Sequence, residues 1–205
     1  MLISFIITTW LLAMLRGVGQ ALMLRQTLAR GPQAAVATIL GTSTGLLIWA
    51  VAAAAGLSAA VVADPTVYRV LLGSGGAFLA YFGLRTLWTA TRNNTEAHSG
   101  DAPADSRNRK SAYLAGLATN LGNPKAGVFA ISLLPAFATT ATDAFWRTLG
   151  LGAVWSIVTA SWYLLFVWLV SRGRNVASRP KAQRLLSCIS GVVLIAVGTA
   201  VALGI

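Results

Sequence analysis

Three long stretches of the sequence contain no charged side chain: residues 34–63, 148–171 and 185–205. A helix of about 20 predominantly apolar residues crosses the hydrocarbon core of a bilayer, and each stretch is long enough to do so. Over the whole chain 10% of the residues are charged, whereas soluble domains carry about 25%. The sequence therefore predicts an all-α membrane protein and excludes a soluble domain.

Three further apolar stretches become full spans when one basic residue is accepted in or near each of them: Arg16, Arg85 and Lys125. Six transmembrane helices result, at approximately residues 1–24, 34–63, 66–91, 112–138, 147–171 and 185–205. A cleaved signal peptide begins with a basic region, but residues 1–15 contain no Lys or Arg. We therefore expect the first span to be retained.

The basic residues alternate between the loops that separate the spans. Arg25 and Arg30 follow the first span, Arg92, Arg107, Arg109 and Lys110 lie between the third and fourth, and Arg172, Arg174, Arg179, Lys181 and Arg184 lie between the fifth and sixth. The other two loops hold only Arg69 and Arg147, near Asp64 and Asp143. This positive-inside pattern predicts cytoplasmic first, third and fifth loops and places both termini outside.

The basic residues of the predicted cytoplasmic loops account for the net charge of +11. Membrane lipids with anionic headgroups are their expected partners. Nucleic acid is not expected as a partner. A nucleic-acid-binding surface would need a basic stripe with interleaved aromatic residues on a soluble segment, and the sequence contains no such segment.

Residues that carry catalysis or bind metals are scarce. Cys188 is the only cysteine, His98 is the only histidine, and no acidic residue lies within a predicted span. Disulfides, metal sites, Ser-His hydrolases and intramembrane aspartate pairs need clusters that this chain lacks. We therefore expect no enzymatic activity, no catalytic residues, no metal and no cofactor.

Helix-breaking residues interrupt two of the spans. The sequence RGVG, residues 16–19, lies in the first span, and GNPK, residues 122–125, lies in the fourth. Backbone groups freed by a break cost several kcal/mol in lipid, so breaks persist where they are buried in protein or line a cavity. Each break also has a basic side chain beside it. A single break is often only a kink, but this pair predicts a binding site near the midplane.

The two interrupted spans each begin a group of three. Residues 1–91 form the first three-helix repeat, residues 92–111 form a polar cytoplasmic loop, and residues 112–205 form the second repeat. Because the first repeat contains an odd number of spans, the second repeat has the opposite orientation in the membrane. The predicted fold is therefore two inverted three-helix repeats with broken helices 1 and 4, an arrangement common among secondary transporters.

At this level of detail the sequence resembles a known family. The run GNPKAGVFAISLLPAF resembles the second-half signature of the LysE/RhtB superfamily of amino-acid exporters, in which Asn-Pro-Lys precedes an apolar helix that ends in Pro. Residues 22–61 resemble its first-half pattern. The resemblance covers nearly the whole chain and implies efflux of amino acids or related small metabolites across the cytoplasmic membrane. A homodimer is expected from this resemblance only.

The sequence departs from the family pattern in two places. The family usually has Pro-Gly-Pro where this chain has Arg16, Gly17 and Val18. It often has an aspartate where this chain has Leu46. These departures keep a second interpretation open, in which the chain is a non-transporting membrane module or assembly partner.

A half-helix N-terminus carries about half a positive charge, so the break at residues 122–125 is expected to present N–H groups and Lys125 to a substrate carboxylate. Arg16 either supplies a second anion-binding charge or bonds to carbonyls freed by its own break. The candidate substrate-binding residues are Arg16, Gly17, Gly19, Gln20, Thr42, Ser43, Asn120, Gly122, Asn123, Pro124 and Lys125.

Two smaller questions stay open in the sequence. Trp49 and Trp155 occupy corresponding places in the two halves and either wall a cavity or pack as core aromatics. The small-residue face around Gly41 and Gly45 packs either within one chain or between two. Ser156 and Thr159 are expected to serve helix packing.

Overall fold

A computed structural model of the chain describes residues 2–15, 17–63, 108–137 and 143–172, with single helical positions between 66 and 88 and between 188 and 199. Within these ranges the helices are α1 (Leu2–Met14), α2 (Val18–Arg30), α3 (Pro32–Ala63), α4 (Arg109–Leu121), α5 (Pro124–Phe137) and α6 (Ala144–Ser171). The described ranges contain no strand, so the predicted all-helical class is confirmed for them. Most of the predicted third and sixth spans lies outside the described residues.

Two helices are long and apolar enough to cross a membrane: α3, over Pro32–Gly56, and α6, over its whole length. A third candidate span is formed if α1 and α2, which are bent by 59° at their junction, are counted together. Helix α5 is apolar but shorter. Its length is that of half a span, as expected for a helix that begins at a break.

The corner between α2 and α3 is made by Gly31 and Pro32. Gly31 has a φ of 82°, a region that glycine reaches without the steric cost of a Cβ atom. Its N–H donates to the carbonyl oxygen of Thr27 at 3.1 Å and so closes α2. Pro32 then begins α3, where its missing N–H leaves no additional group unpaired. One helix therefore ends and the next begins within two residues.

Glycines let α3 and α4 approach until their backbones touch. A Cβ atom on Gly41 would collide with the carbonyl oxygen of Tyr113, and one on Gly116 would collide with that of Thr38. In lipid, helices associate through such close packing, because apolar side chains gain little by leaving the bilayer. Helix α4 thus occupies the Gly41 face, and the small residues there pack within one chain.

Contacts between α3 and α4 follow the same order along both helices. Near their N-termini the guanidinium of Arg109 donates to Gln33 Oε1 at 2.7 Å. Further along, Trp49 Nε1 donates to the carbonyl oxygen of Asn120 at 3.4 Å. The two helices are therefore parallel.

Helix α6 packs on another face of α3 and runs in the opposite direction. Ser156 Oγ donates to the carbonyl oxygen of Ser43 at 3.3 Å. Gly152, earlier in α6, accommodates the side chain of Ala50, which lies later in α3. The order of contacts is reversed along the two helices, so α3 and α6 are antiparallel.

Helices α1 and α5 are also antiparallel. The rings of Phe5 and Phe137 meet edge to face with their centroids 5.2 Å apart. At the opposite ends, Lys125 in the first turn of α5 reaches Leu12 in the last turn of α1. This arrangement brings the end of one half-helix against the start of another.

Two apolar clusters form the interior. The first joins α1, α3, α5 and α6 and includes Phe5, Leu12, Leu46, Phe129, Leu133 and Trp155. The second joins α1, α2, α3 and α6 and includes Ala13, Met23, Ile39, Trp162, Tyr163 and Phe166. Along both α3 and α6 the two clusters are separated by buried polar residues, among them Thr42, Ser156 and Thr159. We call Thr42, Ser156 and Thr159 the polar layer.

The close approach of α3 and α4 predicts that Gly41→Ala destabilises the protein, because the new methyl group meets the Tyr113 carbonyl and overpacking costs about 1–3 kcal/mol. The measurement is the thermal unfolding midpoint of the purified protein in detergent. Gly150→Ala is the control: a Cβ atom there meets nothing within 4 Å, and alanine favours a helix by up to about 1 kcal/mol over glycine. A midpoint that does not fall in Gly41→Ala would contradict the described helix contact.

Candidate functional site

The two helix breaks meet. Lys125 Nζ donates to the carbonyl oxygen of Leu12 at 3.2 Å. Leu12 lies in the last turn of α1, where carbonyls lose their partners four residues ahead, and its oxygen also accepts from the N–H of Leu15 at 3.3 Å. An ammonium carries three N–H donors, of which this bond uses one. Lys125 is half-buried. Its bond to Leu12 places the ammonium at the junction of α1 and α5.

The start of α5 is built by three consecutive residues with separate tasks. The N–H of Gly122 donates to the carbonyl oxygen of Ala118 at 2.9 Å and closes α4. Asn123 is the N-cap of α5, and its Oδ1 accepts the N–H of Lys125 at 3.1 Å. Pro124 occupies the first helical position, where a backbone N–H would have no intrahelical acceptor. The sequence Gly-Asn-Pro thus ends one helix and begins the next.

The backbone donors at this break are already engaged. Besides the Lys125 N–H, those of Ala126 and Gly127 donate to the carbonyl oxygen of Asn123, at 3.0 and 3.3 Å. In this conformation the first-turn N–H groups do not point at an open site, in contrast to the expectation from the helix dipole. The donor that the break of residues 122–125 offers is therefore the Lys125 ammonium.

Trp49 connects α3 to the same break. Its indole N–H bonds to the carbonyl oxygen of Asn120, in the last turn of α4, and its ring lies 2.8 Å from the position of a Cβ atom on Gly127. The carboxamide of Asn120 is buried, and its Oδ1 has no hydrogen-bond partner within the described ranges. It lies against Gly45, where a Cβ atom would come within 2.7 Å of that oxygen.

The junction of α2 and α6 forms the other side of the polar layer. A Cβ atom on Gly19 would lie 2.5 Å from the hydroxyl oxygen of Tyr163, so glycine at this position admits the tyrosine. The next residue, Gln20, is buried, and neither Oε1 nor Nε2 of its carboxamide bonds to the part of the chain that the structure describes. Thr159 lies one turn before Tyr163, and its buried Oγ1 likewise has no partner there.

The predicted site residues fall into four groups. Gly19, against Tyr163, and Asn123, the N-cap of α5, form one of them. Gln20, Thr42, Ser43, Asn120 and Lys125 line the polar layer or the break next to it. Gly17, Gly122 and Pro124 are exposed, so they shape the breaks rather than face the interior. Arg16 lies outside the described residues, and both of its predicted roles stay predictions.

Tyr163, whose hydroxyl lies against Gly19, was not singled out from the sequence. Ser156 serves helix packing as expected, because it bonds to the Ser43 carbonyl of α3. A signal exists: residues 156, 159 and 163 are spaced three and four apart, which places their polar groups on one face of an otherwise apolar helix. Trp155 belongs to the apolar core, because it is 3% exposed and its ring centroid lies 4.7 Å from that of Phe129.

The chain is similar in sequence to several known proteins. The chain is 23% identical over 201 residues to the uncharacterized membrane protein YrhP of Bacillus subtilis, covering 96% of both chains. It is 28% identical over 166 residues to the threonine efflux protein of Escherichia coli, covering 80% of this chain and 77% of that protein. It is 26% identical over 199 residues to the homoserine/homoserine lactone efflux protein of Salmonella typhimurium, covering 97% and 94%.

No solved structure matches the chain. The family model described as LysE type translocator matches residues 10–204, which includes both breaks, the helices that pack around them and the polar segment between the halves. The chain therefore belongs to the LysE type translocator family.

Proposed function

We propose that this protein is a secondary exporter of amino acids or closely related metabolites, and that it binds the substrate carboxylate at Lys125 where the two helix breaks meet. The observation that carries the proposal is the hydrogen bond from Lys125 to the Leu12 carbonyl. It holds a positive charge at the junction of two half-helices. A carboxylate accepts charge-assisted hydrogen bonds from such a group.

Membership of the family supports the transport activity, and the relatives' names indicate the class of substrate. Threonine and homoserine, after which two relatives are named, each carry a carboxylate and an ammonium group. Lys125 would bind the carboxylate. The ammonium would bind to carbonyl oxygens in the last turns of α1 and α4, which lose helical partners at the breaks and could exchange their present bonds for it.

The inverted arrangement of the two halves is part of the proposal, and the helix directions support it. Helix α1 begins the first half, α5 lies in the first span of the second half, and the two are antiparallel, as inversion requires. Helices α3 and α4 are parallel, so the chain must return between them. The predicted third span, residues 66–91, would make that return.

The orientation in the cytoplasmic membrane is also proposed. Parallel α3 and α4 begin on the same side, where Arg109 bonds to Gln33, and antiparallel α6 ends on that side at Arg172. Arg30 lies one turn before Gln33 in sequence and belongs to the same end. The described basic residues Arg30, Arg109 and Arg172, one from each of the predicted first, third and fifth loops, thus share one end, which the positive-inside rule assigns to the cytoplasm. Both termini would then lie outside.

The first prediction concerns ligand binding. Threonine and homoserine should raise the thermal unfolding midpoint of the purified protein in detergent, because a ligand that binds only the folded state stabilises it by RT ln(1 + [L]/Kd), about 2.7 kcal/mol at 100 times Kd. Lys125→Met should require about 10- to 100-fold more ligand, because a hydrogen bond to a charged group contributes about 1.5–3 kcal/mol.

Two comparisons sharpen this experiment. Lys110→Met is the matched control, because Lys110 is an exposed lysine in the first turn of α4 and its loss changes the net charge equally. Homoserine lactone, which has no free carboxylate, should respond less to Lys125→Met than homoserine does. A folded protein that no amino acid stabilises would favour the non-transporting interpretation. Equal ligand responses of both lysine variants would remove Lys125 from the site.

The second prediction concerns orientation. After Cys188 is replaced by Ser, a cysteine at Lys110→Cys should be shielded from a membrane-impermeant maleimide in intact cells, and one at Asp143→Cys should be labelled. Both positions are exposed and lie at opposite ends of the helix bundle. Labelling at position 110 with protection at position 143 would reverse the proposed orientation.

A further inference from the structure

Gln20 presents an unusual combination of burial and unused polar atoms. The residue is 4% exposed, yet both its acceptor Oε1 and its donor Nε2 lack a hydrogen-bond partner within the described part of the chain. A buried polar group without a partner is costly, and native structures supply one from protein, water or ligand. Among the described residues, the start of α2 therefore lacks both a donor and an acceptor for this carboxamide.

One polar group of α6 lies at the same junction, and a second lies one turn earlier along that helix. The hydroxyl of Tyr163 lies against Gly19, the residue that precedes Gln20. Thr159, one turn earlier on the same face of α6, is 7% exposed, and its Oγ1 also lacks a partner among the described residues. Gln20 thus follows the residue that contacts the Tyr163 hydroxyl, and Thr159 lies one turn from Tyr163 on the same face of α6.

The chemistry of these groups selects a class of ligand. An ammonium only donates hydrogen bonds, so it cannot satisfy Nε2 of Gln20. A carboxylate only accepts them, so it cannot satisfy Oε1. A hydroxyl or a carboxamide does both. The segment 148–171, which contains Thr159 and Tyr163, has no charged residue with which to favour an ion.

We infer that Gln20, Thr159 and Tyr163 form a subsite for an uncharged substrate side chain that both donates and accepts hydrogen bonds, a hydroxyl or a carboxamide. This inference rests on the proposed function and adds a determinant of specificity to it. A site that hydrogen-bonds a polar group strongly rejects an analogue of the same shape that lacks the group, because its own buried atoms are then left unpaired.

Ser156, one turn before Thr159 of the subsite, and Asn120, beside the second break, contact α3 at nearby positions. Ser156, in the polar layer of α6, bonds to Ser43 of α3, and Asn120, beside the second break, contacts Gly45 of α3. These positions on α3 differ by two residues, or about 3 Å of helix rise. Along α6, the two subsite residues of that helix lie three and seven residues beyond Ser156, about 4.5 and 10.5 Å of helix rise.

The test compares ligands of equal shape that differ in the polar group. Threonine is paired with valine, homoserine with norvaline, and asparagine with leucine, and each is titrated against the thermal unfolding midpoint of the full-length protein in detergent. The hydroxyl or carboxamide member of at least one pair should act at a concentration about tenfold lower than its apolar partner.

Variants assign this preference to the subsite. Gln20→Met and Thr159→Val keep the side-chain size and should reduce the ratio within each pair to about one, while the midpoint shift from valine persists. Thr148→Val is the matched control, because Thr148 is also buried, with an Oγ1 that lacks a partner among the described residues, but lies about 16 Å earlier along α6. It should leave the ratio unchanged. If Gln20→Met does not fold, Thr159→Val alone carries the test.

The contrary outcomes separate the two proposals. Equal potency within every pair, with shifts that still depend on Lys125, would overturn the subsite and leave the proposed function intact; water would then pair Gln20. A preference that survives in both Gln20→Met and Thr159→Val would also overturn it. Absence of a shift with any amino acid would overturn both proposals.

Discussion

The hydrogen bond between the Lys125 ammonium and the carbonyl of Leu12 joins two helix ends that are distant in sequence and adjacent in space. Inside a bilayer no water is present to satisfy the carbonyls that a broken helix exposes. A lysine in the same environment would cost about 3 kcal/mol near the bilayer centre if it were left unpaired. The two unfavourable features offset each other when the breaks are brought together. At the end of α4 the carbonyl of Asn120 is also paired, because the indole N–H of Trp49 donates to it.

This meeting of the breaks depends on how closely the helices pack. Helix α3 carries Trp49 to Asn120 only because Gly41 and Gly116 let the backbones of α3 and α4 touch. A methyl group at either position would separate the helices and move the indole away from its acceptor. The glycines that give the membrane helices their small-residue faces therefore also determine the geometry of the second break.

The interior is layered, and buried polar residues lie between two apolar clusters. Apolar clusters lie above and below a polar layer, and the aromatic rings of Phe129 and Trp155 belong to one of the clusters. Leu46, at the position where the family often has an aspartate, is buried in the same cluster. Within the described residues the polar layer is thus neutral apart from Lys125 beside it. A substrate there would meet a single positive charge and several neutral hydrogen-bonding groups.

Features that follow from local rules could be predicted from the sequence. Uncharged stretches predicted α3 and α6, and Gly-Asn-Pro predicted the break before α5, because helix ends and starts depend on residues within one turn. The family was recognisable for the same reason, from a contiguous motif. The contacts of Ser156, Thr159 and Tyr163 could not be predicted in this way. Periodicity shows which residues share a helix face, but it does not show which other helix that face meets.

By itself, then, the sequence determined a helical membrane protein with two interrupted spans and a basic residue at each interruption. Only the tertiary structure decided that Lys125 bonds to the end of α1, that the first-turn N–H groups of α5 are already used, and that Gln20 lies buried beside α6. Each of these depends on the direction and separation of helices that are far apart in the chain. The close contact of glycines with the backbone of a neighbouring helix sets these directions and separations. Such a contact depends on two surfaces together, so neither segment alone determines it.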